Sequence, residues 1–133
     1  MKQPLNTIED HLDGAMPELI STYREINSRV LAISKEVGEP YATGASICYR
    51  TKGSDVRFIE LHVQKKRNIL RFFLRTIKIK LNDPKHLIKE AVPDNHKWGA
   101  GVIIWLDPTD LQKKKFGLDD ILDLIKQSFN SCK

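Results

Sequence analysis

Residues 56–81 read VRFIELHVQKKRNILRFFLRTIKIKL, and this stretch decides the fold. Two runs rich in Ile, Leu, Val and Phe flank the turn-like Gln64-Lys65-Lys66-Arg67-Asn68. That is the pattern of a long antiparallel hairpin. In the first arm Ile59, Leu61 and Val63 alternate with Phe58, Glu60, His62 and Gln64. In the second, Leu70, Phe72 and Leu74 alternate with Arg67, Ile69, Arg71, Phe73 and Arg75. Successive strand side chains point to opposite faces. The uniformly apolar sets are therefore expected on the core face, and the mixed sets on the other.

That second face would interleave Phe58, Ile69 and Phe73 with arginines, His62 and Gln64. Arginines and aromatics on a sheet can contact phosphates and stack bases. The alternative is a face covered by another helix or a second subunit, with arginine stems packed along it. Either way, Phe58, His62, Lys65, Lys66, Arg67, Arg71, Phe73 and Arg75 are the candidate residues for binding nucleic acid or a partner. The charge distribution points to the same region. The net charge is +5, but residues 41–81 carry +8, residues 1–40 carry −3 and residues 82–133 balance. A local positive field follows; lysines and arginines also guard strand edges against aggregation.

On the N-terminal side, Thr7 can cap a short helical turn with Asp10 three residues on, and Gly14 ends it. Pro17 suits the first turn of a longer helix. From there Leu19, Tyr23, Ile26, Val30, Ile33 and Val37 recur at spacings of four and three, one buried helical stripe over about 17–37. Gly38 and Pro40 stop it. Ile47 to Thr51 is a short strand, and Gly53-Ser54-Asp55 a turn.

On the C-terminal side, Asp83 and Pro84 are the cap and first residue of a short helix over Lys85 to Ala91. Pro93 to Gly101 is a loop. Val102 to Leu106 (VIIWL) is a continuous apolar run, expected as a strand buried on both faces, with Trp105 in the core. Leu118, Ile121, Leu122, Ile125 and Phe129 make the buried stripe of a last helix. Asp119 and Asp120 stand at its start and Lys126 near its end, matching the helix dipole.

At 133 residues, 41% hydrophobic and 29% charged, the chain is one globular domain with a sizeable core. No apolar run approaches the ~20 residues of a membrane span. The first residues, MKQPLNTIEDHLDG, lack a secretory signal's apolar core. Cys48 and Cys132, without a CxxC, are expected as free thiols in a reducing, cytoplasmic setting.

Motifs for catalysis are missing. His11, His62, His86 and His96 show no zinc-ligand spacing. There is no phosphate loop, Gly99-Ala100-Gly101 precedes a strand rather than a helix, and no GxSxG elbow occurs. Asp55, Glu60 and His62 echo the acid and Glu-x-Lys of restriction-type nucleases. However, His62 replaces the lysine, and Asp55 and Glu60 are too close in sequence for the usual intervening hairpin. No enzymatic activity, cofactor or metal is expected.

Several pieces, in order, resemble domain of unknown function 5655. They are Thr7-Ile8-Glu9-Asp10-His11-Leu12 with Gly14 and Pro17, Gln64-Lys65-Lys66, Asp83-Pro84, Trp98-Gly99-Ala100-Gly101, and Leu124-Ile125-Lys126-Gln127-Ser128-Phe129. They span nearly the whole chain. That family places His directly before Trp-Gly-x-Gly and usually Asp after it; here Lys97 follows His96, and Val102 follows Gly101. Its frequent attachment to restriction-endonuclease-like domains implies a target-binding or regulatory module, and it brings no established catalytic residues. Its "predicted transport" label finds no membrane span here.

The expectation is a single α+β domain. An antiparallel sheet of four to five strands (about 45–106) carries on one face the long N-terminal helix and a C-terminal helix (about 118–129), after a short segment 1–16. The leading function is a non-enzymatic accessory domain binding DNA or RNA, linked to restriction or defence. The alternatives are a protein-interaction or homodimerisation module, with a nuclease-like protein as one partner, and a small-ligand pocket formed by His96, Trp98, Gly99 and Gly101.

Overall fold

The structure, a computed structural model, describes residues 7–76, 80–93 and 100–133. His96, Trp98 and Gly99 lie outside the described residues, so the pocket expected there has no structural description. The described residues form an α+β domain with four helices and six strands. The helices are α1 (Ile8–Leu12), α2 (Pro17–Leu31), α3 (Pro108–Gln112) and α4 (Leu118–Cys132). The strands are β1 (Tyr41–Ala42), β2 (Ile47–Arg50), β3 (Arg57–Gln64), β4 (Ile69–Arg75), β5 (Ile88–Val92) and β6 (Gly101–Leu106). They make one antiparallel sheet in the order β1-β2-β3-β4-β6-β5.

The hairpin forms as its period-two pattern predicts. Gln64 pairs with Ile69 across the turn, Leu61 with Phe72 and Ile59 with Leu74. Asn68 adopts φ 56, a left-handed conformation that asparagine tolerates better than most residues. The core face is also as expected: Ile59, Leu61, Leu70, Phe72 and Leu74 are fully buried, and Val63 packs at the edge of the same cluster. Leu19, Tyr23, Ile26 and Val30 of α2 join it, as do Ile121, Ile125 and Phe129 of α4. A polar link crosses this core. The Tyr49 hydroxyl donates to Asn27 Oδ1 at 2.8 Å and lies 3.1 Å from the Tyr23 hydroxyl, tying β2 to α2. Burial pushes both tyrosines' pKa values up, so the pair stays neutral and hydrogen-bonded.

The sheet exceeds the expected four to five strands at both edges. Tyr41 and Ala42 add a short strand. The segment expected as a helix over Lys85 to Ala91 is instead the edge strand β5, paired with β6. The Asp83 carboxylate does cap, but it accepts the N–H groups of Leu87 and Ile88 (both 2.8 Å) within a turn where His86 has φ 55. Pairing with β6 then claims the next backbone groups.

The long helix ends at Leu31 rather than Val37. Ile33 N–H closes a short turn on Val30 O, and beyond it Lys52 N–H donates to Glu36 O and Gly38 N–H to Arg50 O. Bonding to the end of β2 thus takes over the helix's last expected turn, and Val37 reaches the core from a bridge with Thr51. The C-terminal helix runs three residues past Phe129, to Cys132. Its first N–H groups are partly met by Asp120, whose carboxylate accepts the Gly117 N–H at 2.9 Å. The Thr7–Asp10 capping box forms reciprocally, both bonds at 3.0 Å.

Leu70 is fully buried between the helices and the sheet. Leu70→Ala is expected to cost about 2–5 kcal/mol in urea denaturation. An unchanged midpoint would place this residue outside the core.

Candidate functional site

The opposite sheet face carries no packed helix among the described residues, and its side chains fall into two cross-strand rows. Strand register places Glu60 beside Phe73, Phe73 beside Ile103 and Ile103 beside Glu90. The adjacent row runs His62, Arg71, Trp105. Lys89 belongs to its end, with Nζ 5.9 Å from the Trp105 ring centre. Strands lie about 4.8 Å apart, so each row crosses some 15 Å of sheet.

A β-bulge decides which residues reach this face. Tyr49 pairs with Ile59 but Arg50 pairs with Arg57, leaving Phe58 as the extra residue. The expected placement of Phe58 on the binding face is therefore corrected. Both Phe58 and Ile59 turn inward, and the Phe58 ring meets Phe129 of α4 edge-on with centroids 5.4 Å apart. The same bulge brings Arg57 onto the uncovered face with Glu60, to which it donates at 2.8 Å. Arg57 also donates to the Tyr41 hydroxyl at 2.9 Å, while Arg50 donates to that hydroxyl at 2.8 Å and stacks on the Tyr41 ring. The hydrogen bond to Glu60 raises the guanidinium pKa further. Asp55 faces Arg50 at 3.5 Å, so Asp55 and Glu60 are held by different arginines.

Between β3, β4 and β6 the face sinks into a depression of about 650 Å³. Its floor is a second apolar cluster, Phe73, Val92 and Ile103, each under a tenth exposed. Glu60, His62 and Arg71 line it, and Thr43 and Ser46 of the β1–β2 turn wall it. Gly101 lies beneath the Phe73 ring: a Cβ there would stand 2.5 Å from Phe73 Cζ and 2.6 Å from Leu74 O. The β6 glycine is thus required by close approach. A smaller recess of about 290 Å³ adjoins Trp105, with Arg67, Lys89, Asp107 and Phe116 among its walls. Trp105 is 38% exposed, which corrects its expected place in the core. Arg67 approaches its ring at 5.7 Å.

Of the residues named from sequence, His62, Arg71 and Phe73 gather at the depression and Arg67 at the Trp105 recess. Lys65 and Lys66 sit at the hairpin tip. Arg75 is half-buried on the same face but lines neither hollow. Sequence reasoning missed Trp105, Lys89, Glu90 and Arg57. The first was hidden in an all-apolar run, and Lys89 and Glu90 in a segment read as helical. Among the described residues no helix is long and apolar enough to cross a membrane, and no group of three or more His, Cys, Asp and Glu could hold a metal ion. Both cysteines are unpaired and buried.

No protein-family model, curated protein or solved structure matches this chain.

The Gly101→Ala substitution is expected to destabilise by about 1–3 kcal/mol. Phe73→Leu in the same chain should restore only part of the loss, because the Leu74 carbonyl remains in contact. Full stability of the single variant would remove the Phe73 ring from over Gly101.

Burial, then the charge of Arg71, hold the His62 pKa below 6.5, against the opposing pull of the Ala45 backbone and Glu60. A base whose pKa falls on folding binds fewer protons folded than unfolded. Its contribution to stability is therefore complete above about pH 6.5 and is lost as pH falls through the lowered value. NMR titration should find the His62 midpoint below that of an unfolded peptide, and His62→Gln should flatten the fall in stability on the acid side. A midpoint at or above 6.5 would contradict the packing around the ring.

Proposed function

We propose that this chain is a non-enzymatic accessory domain that binds single-stranded DNA or RNA across its uncovered sheet face. The observation that carries this reading is Trp105: a large exposed aromatic on a sheet, with Arg67 and Lys89 at its ring and Arg71 beside it in register. Aromatic platforms beside cations are how proteins take single strands without reading sequence. At 5.7 and 5.9 Å the two cations stand at the outer limit of cation–π contact, and the residue remains 38% exposed. The excess charge of residues 41–81 and the lysines at the hairpin tip supply the long-range field. The stacking role thus moves from Phe58 and Phe73, which are buried, to Trp105. A role beside a nuclease-like partner in defence is part of this proposal on the sequence resemblance alone, and a cytoplasmic setting on the two unpaired cysteines.

A protein-interaction or homodimer module is the second reading, favoured by the same uncovered face. Its apolar centre is already buried to more than nine-tenths within the monomer, which leaves little area for a stable dimer.

Titration of labelled oligonucleotides at several salt concentrations tests the proposal. With Arg67, Arg71 and Lys89 each on a phosphate, the log–log salt slope for single strands is expected near −2. Removing any one should make it shallower by somewhat under one unit. Trp105→Ala should weaken single-strand binding by about 1–3 kcal/mol. No binding at about 50 mM salt, or binding indifferent to Trp105→Ala and Lys89→Ala, would overturn the reading.

A further inference from the structure

We infer that the depression over Phe73, Val92 and Ile103 is a separate binding site for a small monocarboxylate with an apolar body, such as an aryl-alkanoic acid. Its volume of about 650 Å³ falls within the range of small-molecule sites. Its floor is apolar, while polar side chains of the β1–β2 turn, β3, β4 and β5 line its walls.

The charges in the hollow define the ligand. Glu60 is already neutralised by Arg57 at 2.8 Å, with its side chain only 15% exposed. His62 is held towards its neutral form. Arg71 is different: it is half-buried, it lines the hollow, and among the described residues no carboxylate lies within ion-pair distance of it. A half-buried guanidinium without a partner is a costly arrangement that an anion relieves. Its planar fork matches a carboxylate through two parallel hydrogen bonds. One uncompensated cation answers one negative charge; a phosphate dianion would leave half of its charge unmet beside the apolar floor. Glu90 stands at the rim on the exposed edge strand, where solvent and salt screen it. It repels the anion weakly rather than binding it.

The site is distinct from the Trp105 recess: Arg71 lines the depression alone, although it pairs with Trp105 in register. It can therefore be tested without nucleic acid, using 3-phenylpropanoate and its uncharged amide, 3-phenylpropanamide, in backbone amide NMR titrations of the wild-type chain. The expected result is saturable binding of the acid, with shifts centred on Phe73, Ile103 and the Thr43–Ser46 turn. The amide should bind about 10- to 100-fold more weakly, as loss of a charge-assisted hydrogen-bond pair predicts. Arg71→Gln, checked for an intact fold by its own spectrum, should show the same loss. Lys89→Ala and Trp105→Ala should leave the affinity unchanged, and Glu90→Gln should leave it equal or raise it. Three results would overturn the proposal: no saturable binding of the acid by about 10 mM, equal affinity for acid and amide, or weaker binding in Glu90→Gln, which would mark a cationic or zwitterionic ligand.

Discussion

The extra residue in β3 governs both sides of the sheet. Without it, strict alternation would point Phe58 away from the helices and Arg57 towards them. The bulge reverses that phase at the start of the strand, so the largest aromatic of β3 meets Phe129 and the guanidinium meets Glu60. A bulge interrupts the ladder and leaves backbone groups to be satisfied elsewhere. Here α4 does this. The fully buried Ser128 hydroxyl lies 3.3 Å from Phe58 O and within hydrogen-bond distance of Arg75 O, joining the helix to two neighbouring strands at one point. The docking of α4, the burial of Phe58 and the neutralisation of Glu60 are therefore coupled through one local irregularity.

Electrostatics on the far face follow from register. An antiparallel sheet lines up side chains across strands, so residues distant in sequence share a row. The result is a row with acids at both ends and apolar residues between, Glu60-Phe73-Ile103-Glu90, beside a row of His62, Arg71, Trp105 and Lys89. A second irregularity, between Ile88 and Glu90 of β5, makes Lys89 the extra residue and lets it share the face with Glu90. Charge and a bulge on an edge strand also discourage pairing with another chain. The same residues thus protect the edge and supply charge to the face.

Much of this was legible in the sequence, and the failures have physical causes. The hairpin, its core-facing residues and the stripes of α2 and α4 emerge from simple periodicity, because burial imposes periods of 2 and 3.6 on whole elements. Phe58 was misplaced because a period count assumes an unbroken ladder, and nothing in Arg57-Phe58-Ile59 announces the bulge. The residues Lys85 to Ala91 carry helix-start signals, Asp83 and Pro84. Those signals describe the local turn correctly, and pairing with β6 overrides them beyond it. Trp105 was lost in an apolar run. Such a run implies cover on both faces, yet no described helix covers the second, where Phe73, Val92 and Ile103 shield one another and leave Trp105 out.

Arg71 is where the two binding readings meet. It sits in the basic row between His62 and Trp105, and it also lines the hollow above Phe73. One guanidinium cannot offer the same pair of donors to a carboxylate in the depression and to a phosphate beside Trp105. Linkage then requires that each ligand weaken the other by the same factor. Burial disfavours the charged form of His62, which leaves Arg71 as the stronger cation of the row beside Trp105. The paired state of Arg57 has the same effect, because its charge is spent on Glu60.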